Sequence, residues 1–91
     1  MFADITIVIP TYNRPKVLRN TIESYLMGNV LPRQIIVVDQ TSDAFNLSTI
    51  SDWRGVELKL VRSLTPSLTL ARNIGARASE CDVILFSDDD I

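Results

Sequence analysis

The sequence contains no histidine and one cysteine, Cys81, among its 91 residues. A single cysteine excludes an internal disulfide, so a reducing compartment is the simpler interpretation. Without histidine, any metal site must be built from oxygen ligands, which favours Mg²⁺, Mn²⁺ or Ca²⁺ over zinc. Nucleophilic catalysis by serine or cysteine also lacks its usual base.

The sequence also has no surplus of basic residues, few glycines and no long apolar run. Nine Lys and Arg against eleven Asp and Glu give a formal net charge of -2, which argues against a nucleic-acid partner. Only three glycines occur, too dispersed for a phosphate-binding loop. No apolar run approaches the ~20 residues that cross a bilayer, and the region around Asp4 lacks the basic lead-in of a secretory signal. We therefore expect a cytoplasmic chain with no membrane segment.

The residues that are present predict a small folded domain with alternating strands and helices. Apolar residues make up 46% of the chain, enough to bury a core. Four apolar runs predict strands, and the third alternates apolar and charged residues as an edge strand does, whereas the others are apolar on both faces. These runs span residues 5–9, 35–38, 56–61 and 83–86.

Helical patterns lie between the runs. The first has Asn13 as a candidate N-cap, Pro15 in its first turn and Gly28 as its stop. A short helix is expected over residues 46–53. A third helix is expected between Pro66-Ser67 and Glu80, with Leu70, Ala71, Ile74 and Ala78 sharing its apolar face.

This alternation predicts an α/β fold: a three-layer α/β/α arrangement around a parallel, Rossmann-like sheet with strand order 3-2-1-4. Sheets of this kind bind ligands at the carboxyl ends of their strands, at the point where the strand order reverses. Here that point lies between the first and fourth strands. The polar segments after strands one, two and four should therefore line one cleft. They span residues 10–15, 39–43 and 87–90.

The triplet Asp88-Asp89-Asp90 is the strongest chemical feature. Adjacent carboxylates repel one another by ~1 kcal/mol per pair in water and more in a partly dry cleft. A divalent cation relieves that repulsion, and Mg²⁺ or Mn²⁺ commonly binds one or two carboxylates together with phosphate oxygens. The alternative is an acidic surface turn or a helix N-terminus, where aspartates are favoured without a ligand.

Four other positions allow both a functional and a structural interpretation. Asp39 suits hydrogen bonding to a nucleoside ribose, or capping of the next segment as an Asx-turn. Thr11 and Tyr12 offer hydroxyl and ring contacts to a base, although a tyrosine there is equally a half-buried ring. Arg72, early in the third helix, suits a phosphate or base contact, or is a solvated charge.

Four segments, taken in order, resemble the N-terminal half of family 2 glycosyltransferases, which have the GT-A fold. The segments are Ile5–Arg14, Ile36–Asp39, Ala71–Gly75 and Val83–Asp90, and the resemblance spans essentially the whole chain. Three departures bear on donor identity more than on the fold. Gln40 replaces a second acid often found after Asp39, residues 63–67 lack a glycine, and Ser87 replaces a larger apolar residue.

The resemblance implies binding roles for matching positions. Asp90 would be the direct metal ligand of a DXD motif, with Asp88 as a second ligand, and the metal would be Mg²⁺ or Mn²⁺. The residues implied to contact the nucleotide sugar are Pro10, Thr11, Tyr12, Arg14, Asp39, Arg72, Asp88 and Asp89.

The resemblance also implies a reaction. A sugar would pass from a nucleoside diphosphate to the hydroxyl of a saccharide or other acceptor, with inversion. Residues 1–91 would form the N-terminal nucleotide-sugar-binding part, while the general base and the acceptor half would be absent. We therefore expect the isolated chain to bind a nucleotide weakly and to transfer no sugar. Parts outside the chain would also allow a location at the inner face of a membrane.

Two further expectations complete the interpretation. Without later parts of the fold, the fourth strand becomes an open sheet edge, so self-association through it is expected. The main alternative function is a non-catalytic nucleotide-binding or regulatory α/β domain. A phosphotransfer enzyme with an aspartate nucleophile is less favoured, because its DxD motif follows the first strand rather than the fourth.

Overall fold

The computed structural model describes residues 1–12, 15–40, 50, 52–63 and 67–87. Its four strands form one parallel sheet in the order β3-β2-β1-β4, which confirms the predicted fold class and strand order. Among these residues, neither helix has the length and apolar character that a membrane crossing requires. The elements are β1 (Phe2–Thr11), α1 (Pro15–Leu26), β2 (Leu31–Asp39), β3 (Glu57–Arg62), α2 (Leu68–Ala78) and β4 (Val83–Phe86).

The strand register places three strand ends at one level. Thr11 of β1 is the partner of Asp39 of β2, which in turn is the partner of Arg62 of β3. Strand β4 is shorter, and its last residue, Phe86, is the partner of Val8. The carboxyl edge of the sheet is therefore defined by Thr11, Asp39 and Arg62, with β4 ending lower beside β1.

Helix α1 covers one face of the sheet. Leu18, Ile22 and Leu26 recur every four residues and are buried in a cluster with Ile7 and Ile9 of β1. The end of the helix is capped by a residue that is distant in the sequence. Arg54 Nη1 donates to the Leu26 carbonyl at 2.6 Å and to the Gly28 carbonyl at 3.0 Å. These bonds satisfy carbonyls that have no partner inside the helix.

Helix α2 covers the opposite face and begins where it was expected to, with Ser67 as its N-cap. Ala71 is buried in a cluster with Val8, Ile36 and Val38, and Ile74 and Ala78 pack against that cluster. The prediction for Leu70 was wrong, because its side chain is 39% exposed. The helix approaches the sheet closely at buried Gly75, where an added Cβ would lie 2.2 Å from Val8 Cγ1.

A buried polar network closes the amino edge of the sheet, which the sequence patterns did not indicate. Thr6 Oγ1 donates to Gln34 Oε1 at 3.0 Å, and Gln34 Nε2 donates to Glu57 Oε1 at 3.2 Å. Ser79 Oγ lies 2.8 Å from Thr6 Oγ1, and the Glu80 amide donates to Gln34 Oε1 at 3.2 Å. Each polar group of this network gains a partner. Strands β1 and β2 also extend to lower residue numbers than their apolar runs.

Two other predictions differ from the structure. The apolar pattern of β4 predicted burial on both faces, but Val83, Leu85 and Phe86 are 57%, 50% and 43% exposed. The other expectation for this strand, an open edge of the sheet, agrees with the strand order among the described residues. Only Ile84 packs against the cluster under α2, because β4 is the edge of the sheet. Of the short helix expected over 46–53, the structure describes only residues 50, 52 and 53, which lie outside any helix. The expected N-cap, Asn13, lies outside the described residues.

Candidate functional site at the carboxyl edge of the sheet

Thr11 and Asp39 form the centre of the carboxyl edge. Both are buried, with 4% and 1% of their surface exposed. The main chain around them is fixed on two sides, because the Gln40 amide donates to the Thr11 carbonyl at 2.9 Å and the Ser63 amide donates to the Asp39 carbonyl at 3.0 Å. A ligand at this edge would meet a carboxylate held on a rigid strand end.

The strand order reverses beside these residues. The crossover that carries α1 leads from β1 to β2 on one face, whereas the crossover that carries α2 leads to β4 on the other face. The switch point between β1 and β4 is therefore where the sequence placed it. The Ser87 amide donates to the Val8 carbonyl at 2.9 Å, so pairing with β1 continues through the residue that precedes the acidic triplet.

Arg72 lies against the strand that leads to the acids. Its guanidinium carbon is 5.8 Å from the centroid of the Phe86 ring, within the range of a cation–π contact. Such a contact is worth about 0.5–1 kcal/mol where it is solvent-accessible, which is enough to favour one rotamer of a long side chain. The arginine is half-buried, which does not fit the alternative that it is simply a solvated charge.

The remaining candidate residues divide between described and undescribed parts of the chain. Pro10 is buried inside β1, where it is the partner of Val38. Tyr12 follows β1 and is 46% exposed, so its ring is available at the edge. The other candidates, Arg14, Asp88, Asp89 and Asp90, lie outside the described residues. Within the described ranges no three acidic or cysteine side chains cluster as a metal site, so the metal site stays a prediction.

Comparison with known proteins identifies the family. The model of the family described as "Glycosyl transferase family 2" matches residues 6–91. The chain belongs to glycosyltransferase family 2. The resemblance found in the sequence is thereby confirmed, and it extends over nearly the whole chain.

This family 2 chain is also similar to individual proteins of known sequence or structure. The O-antigen chain rhamnosyltransferase RfbN of Salmonella typhimurium (strain LT2) is 28% identical over 87 residues. The match covers 94% of this chain but 28% of that protein, so the chain spans little more than a quarter of the curated relative. Two crystal structures of S. aureus TarS have similar folds. One has a TM-score of 0.72 at 25% identity and the other 0.67 at 22%, and they cover 94% of this chain but 16% and 27% of theirs.

One contact at the edge of this family 2 domain was not indicated by the sequence patterns. Gln40 is 8% exposed, and its Nε2 donates to the Ser67 carbonyl at 2.8 Å. The sequence showed only that Gln40 stands where the family often has an acid, and that Ser67 opens a helix. No local pattern links two residues that are 27 positions apart.

A cleft of about 270 Å³ lies elsewhere, at the end of α1. It is on the amino side of the sheet, where Arg54 caps that helix. Its charged walls include the exposed pair Arg19 Nε–Glu23 Oε1 at 2.9 Å, a contact between helix neighbours that contributes little to stability. The cleft is lined by Arg19, Glu23, Leu26, Met27, Ile50, Asp52 and Arg54. Its described lining residues do not include Thr11, Asp39 or Arg62 of the carboxyl edge.

Proposed function

We propose that the carboxyl edge of the sheet binds a nucleoside-diphosphate sugar together with Mg²⁺ or Mn²⁺. The parent enzyme would transfer the sugar to a hydroxyl of a saccharide or other acceptor, with inversion. One observation supports this most: Asp39 is buried beside Thr11, and Thr11 ends the strand that borders the switch point between β1 and β4. Open α/β sheets bind nucleotides at such a point.

The proposed contacts follow the chemistry of each side chain. Asp39 accepts hydrogen bonds from the ribose hydroxyls, since a carboxylate on a rigid strand end is a strong acceptor. Thr11 and the exposed ring of Tyr12 contact the base, next to buried Pro10. Arg72 donates to a phosphate oxygen or to the base. Its guanidinium lies beside Phe86, at the end of the strand that leads to the acidic triplet. We assign Arg14 and Asp89 to the same ligand by family resemblance.

The proposed metal ligands are Asp90 and Asp88. Their oxygen donors fit a hard divalent cation, and the chain has no histidine that would favour a softer metal. When bound, such a cation neutralises the charge that develops on the departing diphosphate. The aspartates would hold the cation, and their mutual repulsion would fall when it binds.

Binding of UDP, GDP and dTDP with and without Mn²⁺, measured by calorimetry, tests the proposal. The wild-type chain is expected to bind at least one of them more tightly with Mn²⁺. Asp90→Ala is expected to weaken Mn²⁺-dependent binding by roughly 10-fold or more, a loss typical of damage to a metal site. Asp82→Ala, which removes an exposed carboxylate before β4, should bind as the wild type does. Unchanged Mn²⁺ dependence in Asp90→Ala would contradict the metal assignment.

We also propose that two copies of the chain associate through β4. This strand forms one edge of the described sheet, and Val83, Leu85 and Phe86 are exposed along it. An open apolar edge favours pairing with another strand, whereas a lysine on it opposes pairing.

Sedimentation velocity over a range of concentrations tests this association. The wild type is expected to shift from monomer to dimer as concentration rises, and Leu85→Lys is expected to remain monomeric. Leu68→Lys is the matched control, because Leu68 is 49% exposed on α2 and Leu85 is 50% exposed on β4. A wild type that stays monomeric at every concentration would exclude the interface.

A further inference from the structure

Gln40 joins two elements at the carboxyl edge. Its amide is bound to the Thr11 carbonyl at 2.9 Å, which fixes its main chain beside β1. Its side chain points across to α2, where Nε2 donates to the Ser67 carbonyl at 2.8 Å. It directly follows Asp39, so the same short stretch of chain carries the buried carboxylate and the contact with the helix.

Ser67 is the residue from which α2 starts. It has extended backbone angles (φ -153°, ψ 119°), and its Oγ accepts from the Leu70 amide at 3.2 Å. Its carbonyl accepts the first helical bond, from the Ala71 amide at 2.9 Å, and also the bond from Gln40. One carbonyl thus receives both a donor from the helix and a donor from the end of the sheet.

Packing alone holds the first turn of α2 weakly. Leu68 and Leu70 are 49% and 39% exposed, and the first buried side chain of the helix is that of Ala71. The other end has more attachments among the described residues, since Gly75 lies on Val8 and Ser79 bonds with Thr6. A directional bond at Ser67 therefore has more influence on the position of this turn than on the rest of the helix.

We infer that Gln40 is a positioning residue that holds the first turn of α2 against the end of β2 and thereby sets the position of Arg72 relative to Asp39. The inference rests on the proposed function, because it assumes that both residues contact the nucleotide. It also accounts for glutamine at a position where the family often has an acid. A carbonyl needs a donor, and an ionised carboxylate has only acceptors.

Two substitutions remove the donor in different ways. Gln40→Met keeps the length of the side chain without a polar group, and Gln40→Glu keeps its shape but places a negative charge against the Ser67 carbonyl. Gln34→Met is the matched control. Gln34 is buried like Gln40, but it lies within β2 and its bonds are at the amino edge, with Thr6, Glu57 and Glu80.

Two measurements separate positioning from general stability. Hydrogen exchange followed by NMR measures the exchange rates of the Leu70 and Ala71 amides, which donate to Ser67. Calorimetry reports the Kd of the nucleotide that binds the wild type, under conditions in which every variant is folded. We expect Gln40→Met to speed exchange at these amides and to raise Kd by roughly 3- to 10-fold. The reason is that loss of one net hydrogen bond lowers the fraction of molecules in which α2 is placed for binding. Gln40→Glu should have at least as large an effect.

The control should behave differently. Gln34→Met is expected to lower global stability while leaving the Kd and the relative protection of Leu70 and Ala71 unchanged. The inference is overturned if both Gln40 variants exchange and bind like the wild type, or if Gln34→Met raises Kd as much. If the wild type binds no nucleotide, the proposed function fails, and the exchange measurement alone decides whether Gln40 holds the helix.

Discussion

Gly75→Ala is expected to lower the free energy of unfolding by about 2 kcal/mol. A Cβ at this position would lie 2.2 Å from Val8 Cγ1 and 3.1 Å from Val8 Cγ2. Val8 is fully buried between the sheet and α2, so it has no space into which to move. Overpacking of a core costs typically 1–3 kcal/mol, and a contact this short belongs at or above the upper end. The better helix propensity of alanine returns only about 1 kcal/mol.

Urea denaturation followed by circular dichroism measures this effect, and two controls make it specific. Gly28→Ala should change stability by less than about 0.5 kcal/mol, because the nearest atom to its added Cβ would be the Val30 carbonyl oxygen at 3.4 Å. The double variant Val8→Ala/Gly75→Ala should be more stable than the sum of the two single changes indicates, because the space vacated by the two methyl groups of Val8 admits the single Cβ added at Gly75. A Gly75→Ala protein as stable as the wild type would contradict the close helix–sheet contact.

Asp39→Asn is expected to weaken nucleotide binding by about 10- to 100-fold, the range that corresponds to losing a hydrogen bond with a charged acceptor. Asparagine has nearly the same volume, so a residue that is 1% exposed can be replaced without opening a cavity. The change removes the negative charge, and one of the two acceptor oxygens becomes a donor. The proposed ribose contacts require both oxygens of the side chain to act as acceptors.

Calorimetric titration, with a denaturation curve for each variant, measures the loss of affinity separately from any loss of stability. The matched control is Asp4→Asn, the same change on an exposed carboxylate of β1 that bonds with Arg33 Nε at 3.1 Å. This control should bind the nucleotide as the wild type does. Wild-type affinity in a folded Asp39→Asn protein would remove Asp39 from the binding site.

The two predictions concern one arrangement. Close contact at Gly75 sets the height of α2 above the sheet, and the Gln40 bond sets the position of its first turn. Arg72 lies between these two attachments, and its guanidinium reaches the Phe86 ring. Changes at Gly75 should therefore affect nucleotide binding as well as stability, because the helix that carries Arg72 cannot tilt without moving the guanidinium.

Much of the fold could be predicted from the sequence, because the relevant information is local. Apolar runs separated by helical periodicity determine which segments become strands and helices, and the right-handedness of crossovers leaves few ways to order a parallel sheet. The start of α2 was evident from Ser67, since a helix N-cap depends on a side chain and an amide three residues apart. The lack of histidine in the sequence likewise limits a metal site to oxygen ligands.

Only the tertiary structure decided how closely the elements approach and which polar groups meet. Leu70 matched the apolar pattern of α2 but is 39% exposed, and the buried residues of the helix are Ala71 and Gly75. The bonds of Gln34 with Thr6 and of Gln40 with Ser67 join residues 28 and 27 positions apart. Periodicity records which face of an element is buried, but it carries no information on the distance between elements. That distance depends on the summed volumes of side chains from separate parts of the chain.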